Sequence, residues 1–224
     1  MIPAQFVRSA TALAPVPLVP ELRLHLAADI YAVWESTEAA AGRGELPPPF
    51  WSVAWPGGQA LARYLLDHPQ LVAGQRVLDY GAGSGLVALA AARAGAASVV
   101  ACEPDELAQA AIRMNAAAND LPVPDCVSTA ELSPRPPDVV LAGDVWYEKA
   151  LAELVGGYLA RTSADGARIL IADIGDRGRK YFPRTGYERV ASYQLPSTVA
   201  LEGREVVTAS VWRAVSHDDP GRAR

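Results

Sequence analysis

Three glycines at every second position, in Val77-Leu78-Asp79-Tyr80-Gly81-Ala82-Gly83-Ser84-Gly85-Leu86, constrain this chain more than any other feature. They follow a short apolar run and open a small-residue stretch, which reads as strand, tight turn and helix. A backbone without Cβ at those points can turn sharply and let a ligand come close. The helix, expected over 86–94, directs its free N–H groups at whatever occupies the turn. A dinucleotide fingerprint reads G-x-G-x-x-G. Here the third glycine arrives one residue early, and Leu86 stands where that pattern wants Gly. Asp79 precedes the first glycine, where a carboxylate is a poor neighbour for a pyrophosphate. Glu103 lies 22 residues after Gly81, at the end of a second apolar run over 97–102. An acid at that place in a doubly wound sheet accepts hydrogen bonds from a ribose diol. Glu103 serves either cofactor class, so it points to a nucleoside without choosing between them. A glycine-rich turn with no ligand and a merely solvated carboxylate is the plain alternative.

From residue 76 onward, apolar runs and helical segments alternate. Strands are expected at 76–80, 98–103, near 126–128, at 138–143 and at 167–172, with helices at 86–94, 105–118 and 149–161. That rhythm predicts an α/β fold built on a parallel sheet. It then breaks, because 187–195 and 205–212 are strand-like runs joined by a loop alone, which predicts an antiparallel hairpin. Upstream, residues 1–20 carry Pro15, Pro17 and Pro20 and are expected to be irregular. Apolar residues at Leu22, Leu24, Leu26, Ile30, Val33 and Trp34 fit an amphipathic helix over 21–34. Residues 43–49 hold three consecutive prolines and form a linker, and 58–68 reads as a further helix. One domain over 21–213 is expected, with a helical extension at 21–70 and a flexible polar tail at 214–224.

At 224 residues the chain can bury one sizeable core. A net charge of −5, with two lysines against eighteen arginines, leaves no electrostatic footprint for nucleic acid and tolerates a basic partner. Cys102 and Cys126 lack metal spacing, and His25, His68 and His217 are scattered, so no metal is expected. Two reduced thiols point to an intracellular compartment. The Ala, Arg, Gly and Pro richness favours a bacterial cytoplasm, or the mitochondrial matrix in a eukaryote. No window approaches the apolar length of a membrane span.

Two further segments narrow the reading. Phe50-Trp51-Ser52-Val53-Ala54-Trp55-Pro56-Gly57-Gly58-Gln59-Ala60-Leu61 and Gly143-Asp144-Val145-Trp146-Tyr147 join the glycine turn in a chain that resembles methyltransferase family 16. These are the seven-strand protein-lysine methyltransferases, within the class I S-adenosylmethionine-dependent enzymes whose motif I reads D-x-G-x-G-x-G. W-P-G-G and D-x-x-Y in this order are more specific than the glycines, and the likeness covers most of the chain. It implies a Rossmann-like, doubly wound, mostly parallel seven-strand sheet of order 3-2-1-4-5-7-6. It also implies S-adenosyl-L-methionine as cofactor and protein-lysine N-methylation by a monomer, with the β subunit of electron transfer flavoprotein as acceptor. A ribosomal protein or a small amine is the other acceptor reading on this scaffold. A nucleotide-binding oxidoreductase or an inactive binding module is the reading from a different class. Leu86, Asp79 and the terminal hairpin argue against the oxidoreductase.

The resemblance maps the D-x-x-Y motif onto Asp144 and Tyr147, at the mouth of the cofactor crevice and beside the acceptor lysine. Cofactor contacts are expected from Trp55, Asp79, Gly81, Gly83, Gly85, Glu103 and Asp144, and acceptor contacts from Asp144, Trp146 and Tyr147. The region 128–131 is expected near the adenine, and Glu202 and Glu205 face either a basic partner or solvent. Methyl transfer needs a neutral amine, and holding a lysine neutral at pH 7 costs about 4–5 kcal/mol. A neighbouring carboxylate raises an amine's pKa. Asp144 is therefore expected to attract the ammonium and orient the amine, while aromatic desolvation and the sulfonium push its pKa down. The plain alternatives are a cap on the helix at 149–161 for Asp144, and core packing for Tyr147, Trp51 and Trp55.

Overall fold

The computed structural model describes residues 2–133, 135–174, 179–183, 185–196, 203 and 205–215. The first elements depart from the sequence expectation. The described residues within 1–20 are not irregular: helix α1 (Pro3–Ala10) leads into an antiparallel ribbon of β1 (Ala12–Val16) and β2 (Val19–Leu26). The helix expected over 21–34 is divided between β2 and α2 (Ile30–Ala41). The reason lies in the pattern itself, since Leu22 and Leu24 are two apart and both point inward, which is the period of a strand. A two-stranded ribbon also leaves alternate N–H groups unpaired, so proline is tolerated there.

Helix α5 (Glu106–Ala118) finishes that ribbon in place of a third strand. Asn115 Oδ1 accepts the His25 amide at 2.7 Å, and Asn119, just past the helix end, accepts from Arg23 N at 2.9 Å and donates to Arg23 O at 2.6 Å. Asn115 also donates to Ser84 O at 2.9 Å, so one buried amide links the ribbon to the glycine turn.

The remaining strands are β3 (Arg76–Tyr80), β4 (Ser98–Cys102), β5 (Asp125–Val127), β6 (Val139–Gly143), β7 (Arg168–Ile174), β8 (Tyr187–Pro196) and β9 (Val206–Ala214). They form one sheet in the order β5-β4-β3-β6-β7-β9-β8. Counted within the sheet this is 3-2-1-4-5-7-6, parallel from β5 to β7, with β9 antiparallel to both β7 and β8. Side chains alternate between two cores, as strand geometry requires. Val77, Leu141, Leu170 and Val211 pack with Leu61 and Leu65 of α3 (Pro56–Asp67) and Leu89 of α4 (Leu86–Arg93). Leu78, Val140, Ile169 and Ile171 pack with Val155 and Leu159 of α6 (Lys149–Ala164) on the other face. At the amino ends, Arg76 grips Asp138 through Nε at 3.0 Å and Nη2 at 2.7 Å, tying β3 to the entry of β6. Among the described residues no helix is long and apolar enough to cross a membrane.

Candidate active site

In open α/β sheets ligands bind beyond the carboxyl ends of the strands, and there the three helices of one face meet three acids. Asp79, at the end of β3, accepts the Ala88 amide in the first turn of α4 at 2.9 Å. Asp105 accepts the Leu107 amide at the start of α5 at 2.8 Å. Asp144, just beyond β6, accepts the Gly58 amide in the first turn of α3 at 2.7 Å. Helix N-termini are natural anion sites, but here each is already neutralised by a carboxylate of the chain. The crevice is therefore a poor receptor for phosphate and suits an uncharged or cationic ligand. That reasoning separates the two cofactor classes which the glycines alone leave open.

The glycine turn supplies the space. Gly81, Gly83 and Gly85 all have positive φ, at +72°, +51° and +79°. A Cβ on Gly81 would meet Val145 Cγ1 at 2.7 Å, and one on Gly85 would meet Ile112 Cγ1 at 2.9 Å, so these two glycines serve packing. A Cβ on Gly83 would meet nothing within 4 Å. Gly83 is thus the member of the trio that faces open space. Its amide donates to Glu103 Oε2 at 2.9 Å, and Glu103 Oε1 accepts from Asp105 N at 3.0 Å. Each carboxylate oxygen keeps a lone pair for a further donor such as a ribose hydroxyl. Glu103, beside the open face of Gly83, therefore fits a nucleoside. Asp79 is only 2% exposed and lies beneath the turn, so it shapes the site through α4. Burial pushes its pKa up to about 7, and it raises that of Glu103 as well.

The D-x-x-Y and W-P-G-G segments form one junction. Gly143 and Gly58 touch so closely that a Cβ on Gly143 would lie 3.1 Å from Gly58 Cα. A Cβ on Gly57 would lie 2.8 Å from both Asp144 carboxylate oxygens and 2.9 Å from Ala172 O. Both glycines are needed to seat the first turn of α3 on the ends of β6 and β7. Asp144 itself holds a φ of +56°, which is unusual for a residue with a side chain. Asp144 therefore caps α3, not the helix at 149–161. Its Oδ1 is buried and has no hydrogen-bond partner among the described residues.

Asp173, which the sequence reading did not single out, sits beside it. Gly143 pairs with Ala172, so the next residues, Asp144 and Asp173, leave adjacent strand ends together. Asp173 is fully buried and accepts the amides of Ile174 at 2.7 Å and Arg179 at 3.1 Å. The Arg179 guanidinium lies 3.3 Å from Asp173 and 4.0 Å from Asp144 Oδ1. Burial first, and then the Asp173 charge, push the pKa of Asp144 upward, while Arg179 pulls it down. The signal for Asp173 was the one used for Glu103, an acid closing an apolar strand.

Aromatic rings complete the site. Phe50 lies 5.8 Å from Trp55 and 5.2 Å from Tyr147, and Trp55 Nε1 donates to Phe50 O at 2.8 Å. Tyr147 is 45% exposed. One expectation changes. Trp146 does not join this cluster: it is buried against Phe182 at 5.6 Å in the α6 core, because one step along the chain turns it to the opposite face. Trp51 is buried with Val7, Val33 and Leu107, which leaves Phe50 as the ring that the sequence reading missed. In the 128–131 region, Glu131 accepts from both Ser128 N and Ser128 Oγ, closing a short turn. Glu202 lies outside the described residues, and Glu205 is exposed. Among the described residues no group of three or more His, Cys, Asp or Glu is placed to hold a metal ion.

Known proteins resemble this chain in sequence and in fold. The sequence pattern of the ribosomal protein L11 methyltransferase (PrmA) family matches residues 60–172. An electron transfer flavoprotein beta subunit lysine methyltransferase of Danio rerio is 37% identical over 203 residues, covering 88% of this chain and 76% of its own length. The Xenopus laevis protein of the same name is 34% identical over 217 residues, covering 94% and 86%. The fold is shared with the 16S rRNA N2 G1207 methyltransferase RsmC of T. Thermophilus, solved with AdoMet and guanosine. That structure has a TM-score of 0.54 at 19% identity and aligns with 91% of this chain and 49% of its own.

Proposed function

The chain belongs to the family of electron transfer flavoprotein β-subunit lysine methyltransferases, S-adenosylmethionine-dependent enzymes, and on that premise we propose that it methylates a lysine of that flavoprotein subunit. The observation that carries the site reading is the Asp144–Gly58 contact of 2.7 Å, which joins the two family-like segments.

When bound, the cofactor supplies a methyl group on a sulfonium, open to in-line attack by a neutral amine. The residues of the chain do the rest. Gly83 leaves room for the nucleoside, Glu103 takes the ribose hydroxyls, and Asp79 and Gly85 hold α4 in place behind the turn. Asp144 Oδ1 would attract the acceptor ammonium and then accept a hydrogen bond from the amine, orienting its lone pair. Phe50, Trp55 and Tyr147 desolvate the side chain, which favours the neutral amine. The departing proton leaves through water. Trp55 also offers a ring face suited to the sulfonium.

The test is methylation of purified flavoprotein β subunit with labelled cofactor, read by mass spectrometry, with ribosomal protein L11 in a parallel reaction. Label on a lysine of the β subunit, lost in Asp144→Asn, supports the reading. Label on L11 alone moves the acceptor to the ribosomal protein, the reading favoured by the match over 60–172. Undiminished turnover in Asp144→Asn removes that residue from the mechanism.

A further inference from the structure

The neighbouring acids at the ends of β6 and β7 are not equivalent, and the difference between them has a chemical use. Asp173 spends its carboxylate on the chain: it bonds the amides of Ile174 and Arg179 and sits 3.3 Å from the Arg179 guanidinium. Asp144 bonds the first turn of α3 through Oδ2, and its Oδ1 is buried without a hydrogen-bond partner among the described residues. The same guanidinium reaches toward that oxygen but stops at 4.0 Å, too far for a hydrogen bond and close enough to act by charge. We propose that Asp173 and Arg179 are the positioning half of the acceptor site. Asp173 anchors the guanidinium, and Arg179 favours the ionised form of Asp144, whose Oδ1 is then available to an incoming amine.

The charges add up to a cation receptor. Among the described residues, Asp144, Asp173 and Arg179 bring two carboxylates and one guanidinium together, a surplus of negative charge that suits a lysine ammonium. Without Arg179, two carboxylates at adjacent strand ends cannot both stay ionised in a buried place, and one takes a proton. A protonated Asp144 no longer attracts an ammonium. Among the described residues, the groups that act on Asp144 are Asp173 from β7, Arg179, and the Gly57 and Gly58 amides of α3. This inference rests on the acceptor role given to Asp144 above.

The experiment follows the Asp144 carboxyl directly, by carbon NMR of protein labelled at aspartate, with Asp144→Asn identifying the resonance. In Arg179→Gln its titration midpoint is expected to rise by about one pH unit, the usual effect of losing an opposite charge at this range. Adding Asp173→Asn is expected to bring it back down, because the repelling charge then goes too. Arg179→Lys keeps the charge and is expected to keep the midpoint. In the methylation assay, Arg179→Gln raises KM for the protein acceptor and moves the acid limb of kcat/KM upward, with the cofactor dissociation constant unchanged. A midpoint that stays put in Arg179→Gln, or fails to return in the double variant, overturns the proposal. If the midpoints move as stated but the wild type leaves the flavoprotein subunit unmethylated, the charge-setting pair stands and the acceptor reading falls.

Discussion

Gly83 and Gly85 sit two residues apart at φ +51° and +79°, and alanine at each position asks a different question. At Gly85 the new methyl lands 2.9 Å from Ile112, inside the α4–α5 contact. Left-handed strain and overpacking together are expected to cost about 3 kcal/mol of stability. At Gly83 the methyl meets open space, so the stability cost is only about 1 kcal/mol of strain. It occupies the face reserved for the nucleoside, however, and cofactor affinity is expected to fall about tenfold or more. Denaturant unfolding and calorimetric titration with S-adenosylmethionine separate the two, and equal effects of both variants on both readouts would contradict this division. The sequence made the glycine trio and Glu103 legible, because spacing alone reports a turn and a strand end. It could not report which glycine faces the ligand, since that depends on Ile112 and Val145 from distant segments. Trp146 was misplaced for a related reason: adjacency to Asp144 in sequence says nothing of which sheet face a side chain takes.

At the scale of elements, α3 is seated by its first turn. Gly57 has no room for a methyl, because the Asp144 carboxylate and the Ala172 carbonyl lie within 2.9 Å of where it would stand. Backbone at Ala172 cannot yield as a flexible side chain would. Gly57→Ala is expected to cost about 2–3 kcal/mol and to abolish activity by moving Asp144. Gly156 in α6 offers the contrast: a Cβ there meets nothing within 4 Å, and the residue is mid-helix. Gly156→Ala is expected to stabilise by about 0.5–1 kcal/mol through helix propensity, with activity unchanged. Thermal melts and turnover of the two variants check both signs. The parallel strands and the terminal hairpin were legible because each is a continuous apolar or alternating run. The amino-terminal ribbon was not. Leu22, Leu26, Ile30 and Val33 satisfy a helical stripe as well as Leu22 and Leu24 satisfy a strand. What decides between them is Asn115 on α5 and Asn119 just past its end, some ninety residues away, which close the β2 edge.

Over the whole molecule, ionisable groups divide between the two ends of the sheet. At the carboxyl end Asp79, Glu103, Asp105 and Asp144 are all pushed upward, first of all by burial. At the amino end, hydrogen bonds from Arg76 hold Asp138 down to about 2. The signs are opposite. An acid with a raised pKa binds its proton more tightly in the native protein than in the unfolded chain, so stability falls as pH climbs from 3.8 to about 7 for Asp79. Asp138 contributes above 3.8 and loses that contribution as pH drops toward about 2. Asp79→Asn removes the first effect alone, so the wild type is expected to gain on this variant as pH is lowered through that window. A cationic ligand in the crevice favours the ionised acids, expels their protons and therefore binds more tightly as pH rises. S-adenosylmethionine carries the sulfonium charge, and S-adenosylhomocysteine lacks it. Between about pH 5.5 and about 7, the rise in melting temperature given by the first is expected to grow more than that given by the second. Replacing Asp79 by Asn is expected to narrow the difference. Equal growth for both ligands would mean that the acid cluster does not sense the sulfonium, and would detach those carboxylates from cofactor binding.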